Sequence, residues 1–176
     1  MTTGRDEVPA LAPASRGHWS DFAGKQPEMA ERALELFMLA DGTGGLGYLA
    51  TIRADGGPRV HPISPVIVDG RLYAFILRHT PKRRDLHRDG RYALHSWPKP
   101  FDGDRFDDEE VYLTGRAAPI ADAELLKRVA AATGDDPATG ELFELSVERA
   151  MHKQRVGGLR YTTWRAGGGE SGKQPL

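Results

Sequence analysis

Hydrophobic positions along the chain follow two periods, first helical and then alternating. From Pro27, Met29, Leu34, Phe37 and Met38 recur at 3.6-residue spacing, and proline suits a first helical position, which predicts a helix running to Asp41-Gly42. After a glycine-rich break to Gly45, residues 46–53 read as a strand. The Ala54-Asp55-Gly56-Gly57-Pro58 turn reverses it, and residues 59–68 form the return strand. Asp69-Gly70 is the sharpest hairpin signal, because a two-residue turn of the mirror type needs positive φ there. Further strands are predicted over 71–77, 91–97, 110–120, 141–147 and 159–165, with a helix over 121–132 begun by Asp122. Pro62 and Pro65 interrupt the return strand, so it must be an edge, bulged or bent.

Outside this span the pattern fades. Residues 1–26 mix proline, glycine and charges with neither period and are expected to form a flexible arm, with Trp19 and Phe22 as its docking points. Residues 27–166 are expected to make one domain, and the glycine-rich 167–176 a disordered tail. Short antiparallel strands joined by hairpins point to a barrel or a sandwich, since such sheets must dispose of their open edges.

Composition narrows the chemistry. With 24 basic and 25 acidic residues the net charge is -1, which gives no general attraction for nucleic acid or membrane. Absence of cysteine removes disulfides, zinc-thiolate sites and thiol nucleophiles. No apolar run approaches the roughly 20 residues of a spanning helix, and no leader pattern opens the chain, so a cytoplasmic protein is expected. The histidines lack a tight metal-site spacing, and no metal is expected.

One segment carries most of the chemical information. Thr80-Pro81 suits the start of a short helix, with the hydroxyl as N-cap, yet Lys82, Arg83 and Arg84 crowd the first turn. The positive end of the helix dipole repels them, and an anion on the free amides turns that repulsion into attraction. The alternative is that these side chains simply point into water, with Asp85 and Asp89 as partners. Arg59 adds a second cation if the Asp69-Gly70 hairpin pairs its strand with the next. His61 or His95 could supply a proton, although a strand histidine is more often structural. Tyr48, Tyr73, Phe75, Tyr92 and Tyr112 fall in predicted strands, where core packing is the default. The acidic 102–110 run reads as a solvated loop or as the border of a substrate entrance.

Taken in order, Leu49-Ala50-Thr51-Ile52-Arg53, Asp55-Gly56-Gly57-Pro58-Arg59-Val60-His61-Pro62, Asp69-Gly70-Arg71-Leu72-Tyr73 and Pro81-Lys82-Arg83-Arg84-Asp85-Leu86 resemble the pyridoxamine 5'-phosphate oxidase-like family of FMN-binding split β-barrels. The resemblance covers residues 46–120 and extends loosely to Trp164-Arg165. It implies a mainly β fold, an antiparallel barrel of Greek-key type with a few helices. It also implies a homodimer holding FMN, or a deazaflavin, at the subunit interface and acting on a small molecule.

By the same resemblance Arg59, Thr80, Lys82 and Arg83 would contact the phosphate, and Val60, His61 and Pro62 would lie beside the ring. Trp164 and Arg165 are further cofactor candidates. The Arg-Leu-x-Pro ending of the true oxidases is replaced here by Trp164-Arg165-Ala166 and glycines, which argues against pyridoxamine phosphate as the substrate. A flavin- or haem-binding module without catalysis, with His61 or His95 as axial ligand, is the competing class. An oligonucleotide-binding barrel ranks last, since the basic cluster lacks adjacent exposed rings.

Overall fold

The computed structural model describes residues 17–37, 45–96, 109–155, 158–168 and 173–175. Among these, the antiparallel strands are β1 (Gly47–Ile52), β2 (Pro58–Ile63), β3 (Pro65–Val68), β4 (Arg71–Leu77), β5 (Arg91–Ser96), β6 (Glu110–Pro119), β7 (Gly140–Leu145), β8 (Arg149–Arg155), β9 (Leu159–Arg165) and β10 (Lys173–Pro175). The helices are α1 (Trp19–Lys25), α2 (Pro27–Phe37), α3 (Pro81–Arg88) and α4 (Ala123–Thr133). The fold is mainly β, a curled antiparallel sheet of the split-barrel type.

Strands run in the order β10-β9-β8-β6-β5-β1-β2, while β3, β4 and β7 form a second wall that joins the first through β6. β6 is long enough to serve both: Thr114 faces Ala93 of β5 and Arg149 of β8, and Ala117 pairs with Leu145 of β7. Alternation along the strands aims Leu49, Leu94, Val111, Leu113 and Ala150 into one core, to which β4 and β7 add Leu72, Ile76, Phe143 and Leu145. The helix α4 closes a smaller cluster of Tyr73, Val129 and Leu142. Its Asp122 accepts from the Glu124 and Leu125 amides, the N-cap the sequence predicts.

The Asp69-Gly70 hairpin is present, with φ of 52° and 69°, and pairs Val68 with Arg71. Other expectations need correction. The return strand is two strands. It breaks at Ser64, where β2 stays with β1 while β3 crosses to β4, and the two prolines mark the crossing. The end of the expected arm is ordered: α1 buries Trp19 and Phe22, and the Ser20 amide donates to the Gly70 carbonyl. The helix α2 is described over Pro27–Phe37 and buries Met29, Ala30, Ala33, Leu36 and Phe37, leaving Leu34 exposed; the expected continuation through Met38 to Asp41-Gly42 lies outside the described residues. Within the expected tail, Lys173–Pro175 pairs with β9. β8 was not expected at all.

Candidate functional site

Among the described strands β2 is the edge of its sheet, and its two faces separate the candidate residues. Register with β1 places Arg59 opposite buried Thr51 and His61 opposite buried Leu49, so both look toward the core side. Val60 and Pro62 lie on the other face, opposite Ala50 and Tyr48, and Val60 is 57% exposed. Edge position accommodates the prolines, which have no amide proton for a ladder.

The helix α3 lies between the two walls and is tied to each. On one side Asp85 accepts from Arg59 Nε at 2.6 Å and from Thr51 Oγ1 at 3.1 Å. On the other, Glu141 of β7 accepts from Arg83 and lies 3.0 Å from His87 Nε2. Leu86 fills the core beneath. Burial pushes the Asp85 carboxyl up, but hydrogen bonds from Arg59, Thr51 and Arg88 outweigh it and hold the group below its ordinary range. Glu141 is likewise raised by burial and then held below its ordinary value by His87 and Arg83.

Arg59 therefore meets the basic turn through Asp85. The Asp69-Gly70 hairpin is not the route, because it pairs β3 with β4.

At the start of α3, Thr80 has the extended backbone of an N-cap, but its hydroxyl donates to the Leu77 carbonyl at 2.7 Å and caps nothing. The expected capping role is corrected accordingly, and the first-turn amides are left without that acceptor. Lys82 is half-buried, its Nζ 3.4 Å from the Pro62 carbonyl oxygen, and it has no carboxylate partner among the described residues. Burial lowers its pKa below the usual lysine value. His61, beside it, is also held below its ordinary value, first by burial and then by the charges of Lys82 and Arg59. Lys82, with no carboxylate partner among the described residues, stands beside a helix start that lacks a side-chain cap, a donor set that can accept an anion.

Two cavities adjoin this region. One, about 360 Å³, is lined by arginines and aspartates between the β1–β2 turn and α3. The other, about 280 Å³, is apolar and lies between the ends of β1 and β5, with Ala50, Ile52, Pro58 and Ala93 in its wall.

The structure gathers Arg59, His61, Thr80 and Lys82, turns Arg83 toward Glu141, and sets Trp164 and Arg165 apart. Trp164 packs on Phe22 of α1, ring centroids 5.2 Å apart, and β9 is separated from β2 by four strands in the sheet order. His95 lies on the outer face 3.5 Å from Glu110, whereas residues 102–108 fall outside the described residues. Sequence reasoning missed Glu141 and the arginine-lined cavity. Glu141 carries no local signal of its role, since its partners are 54 and 58 positions away.

A family model described as pyridoxamine 5'-phosphate oxidase matches residues 44–155. No curated protein matches the chain. Among solved structures, a heme binding protein from Mycobacterium smegmatis is similar at 21% identity and TM-score 0.54, over 81% of this chain and 57% of that one. The chain thus spans little more than half the length of that relative. PhzG from Burkholderia lata 383, solved with tetrahydrophenazine-1-carboxylic acid, is similar at 14% identity and TM-score 0.56, over 96% and 98% of the two chains. HutZ, the heme storage protein from Vibrio cholerae, is similar at 16% identity and TM-score 0.54, over 70% and 89%. At these identities the likenesses are of fold.

Proposed function

Because this chain belongs to the pyridoxamine 5'-phosphate oxidase family, we propose that it is a flavin-dependent oxidoreductase that seats the phosphate of FMN at the start of α3. The observation that carries this reading is the uncapped first turn of α3 beside half-buried, carboxylate-free Lys82, with Arg59 held on the same side by Asp85. A phosphate fits that donor set, because it accepts from amides, ammonium and guanidinium together.

From that anchor the cofactor would run along the free edge of β2, past His61, Pro62 and the exposed Val60. Bound flavin supplies the hydride or electron chemistry, and the protein binds, orients and electrically tunes it. Lys82 and Arg59 supply the positive field, and His61 lies beside them with its pKa lowered by burial and by their charges. A deazaflavin presents a similar phosphate and would use the same turn. The substrate class is a small molecule stacked on the exposed ring face.

The outer face supports a second copy as partner. Pro62, Tyr48, His95, Tyr112 and Met151 stand in one cross-strand row, with Val60, Ala50, Ala93 and Thr114 in the next. Members of this family are often dimers, and a homodimer through this face would cover Val60. Trp164 and Arg165 would belong to the site only if that copy brings them to it.

A second reading, haem binding without catalysis, is favoured by two of the similar structures, a heme binding protein and a heme storage protein, and by His61, whose lowered pKa favours the neutral imidazole that ligates iron. Absorption spectra separate the readings. Protein incubated separately with FMN, a deazaflavin or haem and then desalted is expected to retain FMN at about one per chain. Retention of haem alone, with a Soret band lost in His61→Ala, would replace the flavin reading. No helix among the described residues is long and apolar enough to cross a membrane.

A further inference from the structure

Lysines elsewhere whose side chains the structure describes have ordinary surroundings. Lys25 stands exposed at the end of α1, Lys127 lies 2.9 Å from Glu124, and Lys153 lies 3.3 Å from Glu110. Lys82 differs. It is half-buried on α3, its Nζ meets the Pro62 carbonyl oxygen at 3.4 Å, and no carboxylate among the described residues holds its proton. Cations are its neighbours instead: the charges of Lys82 and Arg59 both act on the His61 ring, and Asp85 pins Arg59 in place. A lysine becomes a nucleophile when its ammonium loses water or faces other cations, because both favour the neutral amine. Burial lowers the Lys82 pKa accordingly.

The same amine lies beside the place where the α3 turn and Arg59 would seat a phosphate, and that coincidence selects an electrophile. In an acyl phosphate the carbonyl carbon is one bridging oxygen from phosphorus. A phosphate held at the turn therefore carries an activated acyl carbon to the amine, and approach to about 3–3.5 Å needs only rotation of the lysine stem. Acyl transfer then closes without another reagent. Lys82 Nζ forms the N–C bond, the acyl C–O bond breaks with its electron pair leaving on the phosphate oxygen, and the proton shed by nitrogen departs with the leaving group as hydrogen phosphate.

We infer that Lys82 is a self-acylation site, modified by small acyl phosphates that dock where the cofactor phosphate would rest. This rests on the phosphate reading of the α3 turn and extends it to control of the same site. An acylated Lys82 carries no charge, so the modified chain loses the ammonium contact to the cofactor phosphate. Bound cofactor in turn shields the amine, and only empty protein is open to modification.

Acetyl phosphate is the probe, and N-hydroxysuccinimidyl acetate, which has no phosphate, is its control. Each is reacted with the whole folded chain and with the urea-unfolded chain, and acetylation at each lysine is followed by peptide mass spectrometry. In folded protein the ratio of Lys82 to Lys25 modification is expected to be at least ~tenfold higher with acetyl phosphate than with the control ester, a small share of what positioning supplies. Unfolding should bring the two ratios together. Inorganic phosphate and FMN should each slow Lys82 and spare Lys25, and the acetylated chain should bind FMN at least ~tenfold more weakly while keeping its riboflavin affinity.

Equal ratios for the two reagents, or a Lys82 rate indifferent to inorganic phosphate, overturns the acylation site. Retention of FMN after desalting separates this inference from the reading beneath it. A chain that fails to retain FMN while inorganic phosphate still protects Lys82 removes the flavin reading and leaves the acylation site standing. A chain that retains FMN and shows equal ratios loses the acylation site alone.

Discussion

Replacing Lys82 by methionine should separate phosphate recognition from ring recognition. Lys82 is half-buried, and its nearest polar neighbour is the Pro62 carbonyl oxygen at 3.4 Å, a weak contact. No carboxylate among the described residues would be stranded by its loss, and methionine keeps most of the buried stem. Stability should therefore change by no more than about 0.5 kcal/mol, the range of substitutions that orphan nothing. A charge-assisted hydrogen bond to phosphate is worth ~1.5–3 kcal/mol, or roughly 10- to 150-fold in Kd. FMN affinity should fall by that factor, and riboflavin affinity, which has no phosphate to lose, by less than about twofold.

Fluorescence-quenching titrations of the two flavins against wild type and Lys82→Met measure both numbers in one buffer. The companion variant Arg83→Ala should weaken FMN by under about threefold, because Arg83 already serves Glu141. Equal losses for FMN and riboflavin in Lys82→Met would refute the reasoning, as would an unchanged FMN affinity.

Other outcomes follow from the same geometry. The His61 pKa, lowered by burial and by Lys82 and Arg59, should rise when phosphate is added, as an NMR pH titration of the ring protons would show. Because the folded-state value lies below the unfolded one, His61 costs stability as pH falls through the unfolded value near 6.5, and bound phosphate should reduce that loss. Glu141→Gln should destabilise by ~1–3 kcal/mol in urea unfolding, and the difference from wild type should shrink as pH falls through the lowered folded pKa of Glu141. Phe22→Ala, at a fully buried position between Trp19 and Trp164, should cost ~3–5 kcal/mol in the same assay. Val60→Lys, on the exposed outer face, should shift size-exclusion elution toward a monomer and leave the melting curve of the isolated chain little changed.

What the sequence discloses about this molecule follows the range of the interactions involved. The Asp69-Gly70 turn and the Asp122 cap are settled by backbone chemistry within four residues, and both are where the pattern puts them. β8 is harder. Its inward positions are Ala150 and His152, the latter buried with Glu109 as its polar partner at 2.8 Å, so the strand lacks the apolar alternation that announces a half-buried strand. The helix α1 is too short to declare itself and exists through tertiary contacts of Trp19 and Phe22. At the candidate site, the basic turn is visible as a charge pattern, whereas its division is not. Only folding shows that Glu141 claims Arg83, that Asp85 joins Arg59 to α3, and that Lys82 is left over.

The two ties of α3 have a mechanical consequence. Asp85 fastens the helix to the β1–β2 wall and Glu141 fastens it to β7, so α3 is a strut across the split in the barrel. A strut fixes the spacing of what it joins, and whatever stiffens its first turn stiffens both walls at once. Anion binding at Lys82 should thus slow amide hydrogen exchange in β2 and in β7 together, although no ligand atom need touch β7. Cutting either tie should leave the exchange of only one wall responsive, making the two halves of the barrel report ligand independently.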